Sequence, residues 1–283
     1  MRFNENIYYS RLDYRIPLLG SNYIKRHTYA VLLNFRKKFL IDTGVRETEP
    51  QLEALLEEAG LRWSSLDAVI NTHSHPDHIG LNRVISGKNR NIIFYAHPEA
   101  IPLIEDISRQ ARERHLIGLL KLVSGDVQGV IPVEDDQILH LGGEVLRVMH
   151  TPGHSADSLT LSLEKNKMLI TGDSLVDFNH LPNYTDLVHL RASLKRLSYF
   201  DFKYFLSAFS GLVERKKRDL IKETLDYLDI VDNLVREKMA ETRDVDAIAR
   251  YVFDRMDLPF AVNHIVRFAL AQHIPGSGRR EKQ

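Results

Sequence analysis

The chain has 283 residues, 43% of them hydrophobic and 27% charged, which is enough to bury a substantial core. Its 38 lysine and arginine residues balance 38 aspartate and glutamate residues, which excludes a strong overall attraction to nucleic acid or an anionic membrane. Cysteine is absent, which excludes disulfides, thiolate nucleophiles and cysteine-based zinc sites, so any metal must be held by His, Asp and Glu.

The chain begins with a polar stretch. Residues 1–6 lack the apolar core of a signal peptide, and no apolar run in the sequence is long enough to cross a bilayer. We therefore expect a cytoplasmic protein without a membrane or nucleic-acid partner.

The first half of the chain predicts strands followed by helices. Aliphatic, aromatic and β-branched residues indicate strands over residues 7–12, 29–35, 39–41, 66–70 and 92–95. Leucines at helical spacing predict a helix over residues 49–59, which Gly60 ends. One long helical stretch is predicted over residues 104–123.

The second half repeats the same theme. Strands are predicted over residues 130–133, 137–140, 145–149, 158–163, 167–170 and 204–206. A helix over residues 187–197 interrupts them. Two successive groups of strands with helices between them predict a two-sheet sandwich with helices outside, an α/β fold.

From residue 213 onward the pattern predicts helices only. Apolar residues keep a helical period over residues 221–235, and further helices are predicted over 245–256 and 260–273. We therefore predict a sandwich domain over residues 1–212 and a helical extension over residues 213–274, which caps the sandwich or mediates a homodimer. Residues 275–283 have the composition of a disordered tail.

The run from His73 to His78 carries three imidazoles and one carboxylate within six residues, directly after a predicted strand. Imidazole and carboxylate are the ligands that catalytic zinc and iron prefer. His73 and His75 alternate at strand spacing and can face one metal. Asp77 and His78 lie in the turn beyond and can face a second metal.

Two further donors follow predicted strands downstream. His154 lies in a turn after residues 145–149, and Asp173 follows residues 167–170. A lone histidine in a turn is usually structural, and an aspartate after a strand is often a helix cap. Their position after successive strands favours a shared metal site with the histidine-rich turn.

Together these residues resemble the metallo-β-lactamase superfamily. The HxHxDH signature stands at residues 73–78, the Gly-His turn at 153–154, the Gly-Asp pair at 172–173, and a further family turn at 42–44. The resemblance covers roughly residues 5–212 and implies an αββα sandwich with metals at one edge between the sheets.

The resemblance also implies roles for individual residues. His73, His75 and His154 would hold the first metal, Asp77 and His78 the second, and Asp173 would bridge them. Asp77 would in addition be catalytic, because it would orient the hydroxide that attacks the substrate. Zinc is the expected metal, and iron or manganese suit the same ligands.

The chain departs from the family pattern at the last ligand. The family places a further histidine after the last core strand, where this chain has Ser210. A neutral serine is a poor ligand for zinc or iron, so we expect one tight site and a second site that is weaker or absent. His180 and His189 are alternative ligands, although a lone histidine is more often an ordinary surface or core residue.

Two groups of residues suggest how a substrate is bound. Basic residues between the strands could attract an anionic substrate, although nearby acidic residues favour an ordinary solvated helix face: Arg109, Arg112, Arg114 and His115. The segment of residues 177–184, with Phe178, His180 and Tyr184, either lines the pocket or is a plain connector.

The sequence therefore predicts a metal-dependent hydrolase that acts on a small molecule, most readily a thioester or related ester. Phosphodiester or lactone hydrolysis at the same site is the alternative activity. The missing histidine also supports a different class, a catalytically weak sensor or effector of the same fold.

Overall fold

The computed structural model describes residues 1–17, 23–114, 118–180, 183–258 and 264–274. Within these ranges the chain forms two sheets of six strands each, with helices on their outer faces. No helix in the described part of the chain has the length and apolar character needed to span a bilayer.

The first sheet is mixed. Its strands lie side by side in chain order: β1 (Ile7–Pro17), β2 (Tyr23–Asn34), β3 (Lys38–Ile41), β4 (Ala68–Ile70), β5 (Ile93–Ala96) and β6 (Ile131–Pro132). The first three are antiparallel, with Ile7 opposite Leu33 at the start of β1. From β3 to β6 the strands run parallel, so their carboxyl ends reach the same edge.

The second sheet is mostly antiparallel. Its strands are β7 (Ile138–His140), β8 (Val145–His150), β9 (Leu159–Leu163), β10 (Met168–Gly172), β11 (Tyr204–Ser207) and β12 (Gly211–Glu214). They lie side by side from β7 to β12, and only β10 and β11 run parallel.

The helices vary in length from one turn to five. They are α1 (Glu49–Glu58), α2 (Pro76–Ile79), α3 (Asn82–Lys88), α4 (Ile101–Ile104), α5 (Ile107–Arg114), α6 (Leu119–Leu122), α7 (Leu187–Ser198), α8 (Leu220–Met239), α9 (Val245–Arg255) and α10 (His264–Ala271). Single 3-10 turns cover Arg46–Thr48 and Trp63–Ser65.

The central strands are buried on both faces, which explains their nearly continuous apolar sequence. In β2, Val31 and Leu33 pack between the sheets, whereas Leu32 packs against the outer helices. In β8, Val148 faces the first sheet and Met149 faces the helices. This period-two alternation gives an inner core between the sheets and an outer core on each side, the predicted αββα sandwich.

Two details of the predicted elements are wrong. The helix expected over residues 104–123 is divided: α4 ends at Ile104, and α5 begins at Ile107. Asp106 Oδ1 accepts a bond from the amide of Arg109 at 2.8 Å and so caps the start of α5. Val213 also belongs to β12 rather than to the helical extension, because it pairs with Phe205.

The extension itself consists of α8, α9 and α10. These helices share a cluster of buried apolar side chains with Val176, and α8 also packs on the outer face of the second sheet. The domain boundary at residue 212 and the homodimer stay predictions, and residues 275–283 lie outside the described residues.

Backbone and side-chain bonds join the two sheets at the edge where β4 and β10 end. The amide of Leu159 donates to the carbonyl of Thr72 at 2.7 Å. The amide of Ser74 donates to Asp157 Oδ2 at 2.8 Å. The histidine-rich turn of the first sheet is therefore fixed directly to the second sheet.

Candidate metal centre

The histidine-rich turn begins two residues after β4 and runs into α2. His75 is the N-cap of α2 and has an extended backbone, and Pro76 opens the helix with the fixed φ that suits a first helical position. The single turn of α2 then carries Asp77 and His78. This change from extended chain to helix directs successive side chains of the signature toward different parts of one site.

Four of the predicted ligands converge. One ligand atom from each of His73, His75, His154 and Asp173 lies within 4.8 Å of all the others. His75 Nδ1 is 2.9 Å from His73 Nε2 and 2.8 Å from His154 Nε2. Asp173 Oδ2 is 3.4 Å from His154 Nε2. The structure thus brings together donors from both sheets.

The hydrogen-bond network leaves metal-binding lone pairs at two of these rings. His73 Nδ1 is 3.2 Å from Thr72 Oγ1, whose own proton goes to Asp42, so the ring donates its Nδ1 proton to the hydroxyl. His154 Nδ1 donates to the carbonyl of Asn183 at 2.6 Å. Both Nε2 atoms then carry lone pairs, and both face His75. His75 Nδ1 thus lies between two ring nitrogens that accept bonds, an arrangement that suits a divalent cation.

The remaining predicted ligands form a second group beside the first. His78 Nε2 lies 3.2 Å from Asp173 Oδ1 and 3.8 Å from Asp77 Oδ2. Both His78 Nε2 and Asp173 Oδ1 are buried without a hydrogen-bond partner. Buried polar atoms without a partner are costly, and a second cation here would satisfy them. Asp173 presents one oxygen to each group.

The position of His78 is fixed by Asp42, at the end of the first three strands. His78 Nδ1 donates to Asp42 Oδ2 at 2.8 Å, which fixes the ring with Nε2 facing Asp173 and Asp77. Asp42 also accepts bonds from the amide and the hydroxyl of Thr72, both at 2.8 Å. Its φ of +60° is unusual for a residue with a side chain, and these three bonds hold it there.

The ionisation of His78 reflects this surrounding charge. Burial alone lowers its pKa, but the carboxylates of Asp173, Asp42 and Asp77 outweigh burial and raise the pKa well above its ordinary value. Three carboxylates thus surround one buried imidazole, an arrangement that a bound cation would also stabilise.

The turn that carries His154 is held by α7. A side chain at Gly153 would place its Cβ 2.4 Å from the Cα of Leu190 in α7, so no other residue fits. The carbonyl of Gly153 accepts bonds from the amides of Thr185 and Asp186 at 2.8 and 3.0 Å. The helix therefore presses directly on the ligand turn.

Tyr14 is a site residue that the sequence reasoning missed. It lies in β1, and its hydroxyl donates to Asp77 Oδ2 at 2.6 Å. Burial, reinforced by the charge of Asp77, raises the pKa of Tyr14 well above its usual value, so the phenol stays a neutral donor. No motif signals this role, because Tyr14 also fits the ordinary apolar alternation of β1.

The two alternative histidines lie elsewhere. His180 pairs with Asp177 at 2.7 Å, and His189 pairs with Asp186, also at 2.7 Å. Neither belongs to the ligand cluster found among the described residues. Both behave as the ordinary surface histidines that the sequence favoured.

Ser210 lies in the turn between β11 and β12. The carbonyl of its neighbour Phe209 accepts a bond from His27 Nε2 at 2.9 Å, which ties this turn to β2. The role of Ser210 at the vacant ligand position stays a prediction.

Arg109 and Arg112 lie on a solvated face of α5. Arg109 pairs with Glu113 at 2.7 Å, and its side chain is 48% exposed. Arg112 lies 3.6 Å from Asp106 and is still more exposed. The other two predicted residues are not described: His115 and the side chain of Arg114 lie outside the described part of the structure.

The segment predicted to line a pocket faces the helical extension. The ring of Phe178 lies 5.7 Å from that of Tyr227 in α8. Tyr184 is 1% exposed, and its hydroxyl contacts His273. Tyr184 is therefore closed off from solvent and does not line a pocket.

A comparison with protein families decides how this fold and site are related to others. The model of the metallo-beta-lactamase superfamily matches residues 25–203, which is more than half of the chain. The chain belongs to the metallo-β-lactamase superfamily. The predicted family and fold are thereby confirmed, and the predicted enzyme class is confirmed at the level of the superfamily.

Solved structures of metallo-β-lactamase proteins agree in fold. A metallo-beta-lactamase family protein from Thermus thermophilus has a TM-score of 0.73 and 20% identity, over 96% of this chain and 93% of that one. A protein solved in a di-iron-bound form has a TM-score of 0.52 and 27% identity, over 66% of this chain and 89% of that one.

Several curated relatives are named as thioesterases. The atrochrysone carboxyl ACP thioesterase of Aspergillus terreus is 28% identical over 143 residues, which are 50% of this chain. The match covers 36% of that relative, so the chain spans little more than a third of its length. The superfamily and the His/Asp cluster together support a divalent metal.

Proposed function

We propose that the chain is a metal-dependent hydrolase whose substrate is a thioester or a related ester. The observation that carries the proposal is the convergence of three imidazoles and Asp173 on one point, with lone pairs facing inward. The unpartnered atoms of His78 and Asp173 support a second, neighbouring ligand position.

Zinc is the metal that we propose for the tighter site, held by His73, His75 and His154. Three imidazoles with one open position are a typical ligand set of catalytic zinc. Asp77, His78 and the bridging Asp173 would hold a second ion more weakly. Iron and manganese are alternatives, and the similarity to a protein solved with two irons supports iron.

When bound, the metal supplies Lewis-acid activation and generates a nucleophile from water at neutral pH. The residues of the chain supply orientation. Asp77 Oδ2 is occupied by the hydroxyl of Tyr14, which leaves the other oxygen of Asp77 to accept a bond from the attacking water. Tyr14 thus fixes the carboxylate that directs the attack, and Asp77 is the proposed catalytic residue.

Two considerations support a thioester among the possible substrates. The relative from Aspergillus terreus is named as a thioesterase, although it is longer and only 28% identical. A thiol with a pKa of about 8.5 leaves as a thiolate without a separate general acid, whereas an alcohol does not. The three carboxylates at the site, Asp42, Asp77 and Asp173, each face a histidine or Tyr14, which suits a leaving group that needs no general acid.

The test compares substrates on the zinc-loaded protein. An S-acyl-N-acetylcysteamine thioester, its oxygen ester, a lactone and bis(p-nitrophenyl) phosphate are assayed side by side, with His154→Ala as the control. We expect the thioester to be hydrolysed fastest, and the activity to disappear with a chelator. Faster cleavage of the lactone or the phosphodiester would contradict the thioester proposal and favour that substrate class. A protein that binds zinc but cleaves none of the four substrates would favour a sensor.

A further inference from the structure

We propose that the helical extension is part of the metal site, because α10 and the residues after it hold the segment whose backbone carbonyl orients His154. Gln272, His273 and Tyr184 are thus positioning residues for a metal ligand that is distant in sequence from the extension. The inference rests on the proposal that His154 binds metal, and the experiment below separates the failure of one from the failure of the other.

The first step is the bond between His154 and Asn183. His154 Nδ1 donates to the carbonyl of Asn183 at 2.6 Å, which fixes both the tautomer and the direction of the ring. Its Nε2 then faces His75 Nδ1 at 2.8 Å and Asp173 Oδ2 at 3.4 Å. A displaced Asn183 carbonyl would leave the ring free to rotate or to change tautomer.

Asn183 is held in place partly by the residues that follow it. The next residues fold over the ligand turn, where the amide of Thr185 lies within bonding distance of both the Gly153 and His154 carbonyls, at 2.8 and 3.2 Å. This contact sets the segment against the turn. The side of the segment that faces away from the ligand turn is held by other elements.

The third step is the contact with the extension. Gln272 binds the segment twice, because its Oε1 accepts from the amide of Leu187 at 2.6 Å and its Nε2 donates to the carbonyl of Tyr184 at 3.3 Å. The next residue, His273, accepts the hydroxyl proton of Tyr184 at Nε2. Two consecutive residues after α10 thus hold the residue that follows Asn183.

The fourth step anchors His273 to the other helices. Its Nδ1 donates to Asp232 in α8, and Asp232 also accepts from Arg191 in α7 at 2.5 Å. The ring of His273 is completely buried, and burial lowers its pKa, in line with a neutral ring that donates at one nitrogen and accepts at the other. The chain of contacts from Asp232 through His273 and Tyr184 to His154 is therefore continuous.

The alternative is that α10 only stabilises the fold, since its buried face packs Ala269 and Leu270 into the apolar clusters. In that case a variant would lower the melting temperature without changing metal affinity in the folded state. The two interpretations are separated by metal affinity, measured at a temperature where every variant is folded.

The experiment measures zinc affinity of the full chain by competition with a chromophoric chelator. Gln272→Ala removes both bonds to the segment, and Tyr184→Phe removes only the hydroxyl and keeps the packed ring. Arg267→Ala is the matched control, because this α10 residue forms an exposed ion pair with Asp246 at 2.6 Å. Melting temperatures of the metal-free proteins are recorded in parallel.

Loss of a group bonded directly to a metal ligand weakens metal binding by about 10–100-fold. Gln272 and Tyr184 act on such a group, the Asn183 carbonyl, through the segment that carries it, so we expect Gln272→Ala and Tyr184→Phe to weaken binding at the tighter site by about 10-fold, the lower end of that range. Arg267→Ala should bind zinc like the parent chain. The inference is overturned if both variants keep the parent affinity, or if Arg267→Ala loses as much. His154→Ala is measured alongside: if it also keeps the parent affinity, the metal-site proposal itself fails.

Discussion

The two halves of the metal centre differ in how completely the chain builds them. On one side, His75 Nδ1 lies 2.9 Å from His73 Nε2 and 2.8 Å from His154 Nε2. Hydrogen bonds at the other ring nitrogens fix the direction of His73 and His154. On the other side His78 Nε2 is 3.8 Å from Asp77, and no further histidine joins them within the described residues. One six-residue signature therefore contributes to two unequal groups of donors, and its presence alone does not determine how many metals bind.

The largest expected effect is on the better-built half. His154→Ala removes one of three imidazoles, so we expect the purified protein to lose most of its bound metal and all metal-dependent activity. Metal content by mass spectrometry is the measurement, with His189→Ala as the control because that ring pairs only with Asp186 among the ion pairs described. Full metal content in His154→Ala would show that His154 is not a ligand of the tighter site.

Asp77→Asn addresses the weaker half. The carboxylate is the proposed orienting group for the attacking water, so we expect kcat to fall by about 10²-fold or more. The tighter metal should stay bound, since Asp77 does not belong to the cluster of four converging ligands. A variant with parent kcat would remove Asp77 from the mechanism.

Ser210→His tests why the second half is incomplete. If Ser210 occupies the vacant ligand position, the new imidazole should raise second-site affinity by roughly 10-fold or more. The measurement is a zinc titration that resolves the two sites. An unchanged zinc affinity of the second site would mean that Ser210 does not occupy the vacant ligand position. The affinity of the first site should not change in either case.

Tyr14→Phe should have the smallest effect. The variant removes the hydrogen bond to Asp77 Oδ2 but keeps the carboxylate, so we expect kcat to fall by roughly 10-fold, the lower end of the about 1.5–3 kcal/mol that a bond to a charged group contributes. Tyr8→Phe on the same face of β1 is the control, because Tyr8 packs in the same apolar cluster. Equal losses in the two variants would mean that packing, not the bond to Asp77, matters.

The sequence predicted the fold and the six donors because their signals are local. Each ligand follows a strand or lies in a dense motif, and strand ends meet at a sheet edge. Tyr14 and Asn183 carry no such signal. Tyr14 is 63 residues away from Asp77, and Asn183 acts through a backbone carbonyl that any residue would offer.

The sequence analysis misjudged two elements at their boundaries. The helix predicted over residues 104–123 is divided at Asp106, which caps α5. The sequence places Val213 in the helical extension because β12 is only four residues long and α8 begins six residues after it. Pairing with β11, a non-local contact, decides its conformation.

The bond from Leu159 to Thr72 has a consequence for the order of folding events. Ligands from the two sheets are far apart along the chain, with His75 and His154 separated by 79 positions, so the centre can exist only after the sheets dock. Contacts of such sequence separation form late and slowly. During refolding, uptake of zinc should therefore lag behind the formation of secondary structure and report the moment at which the two sheets meet.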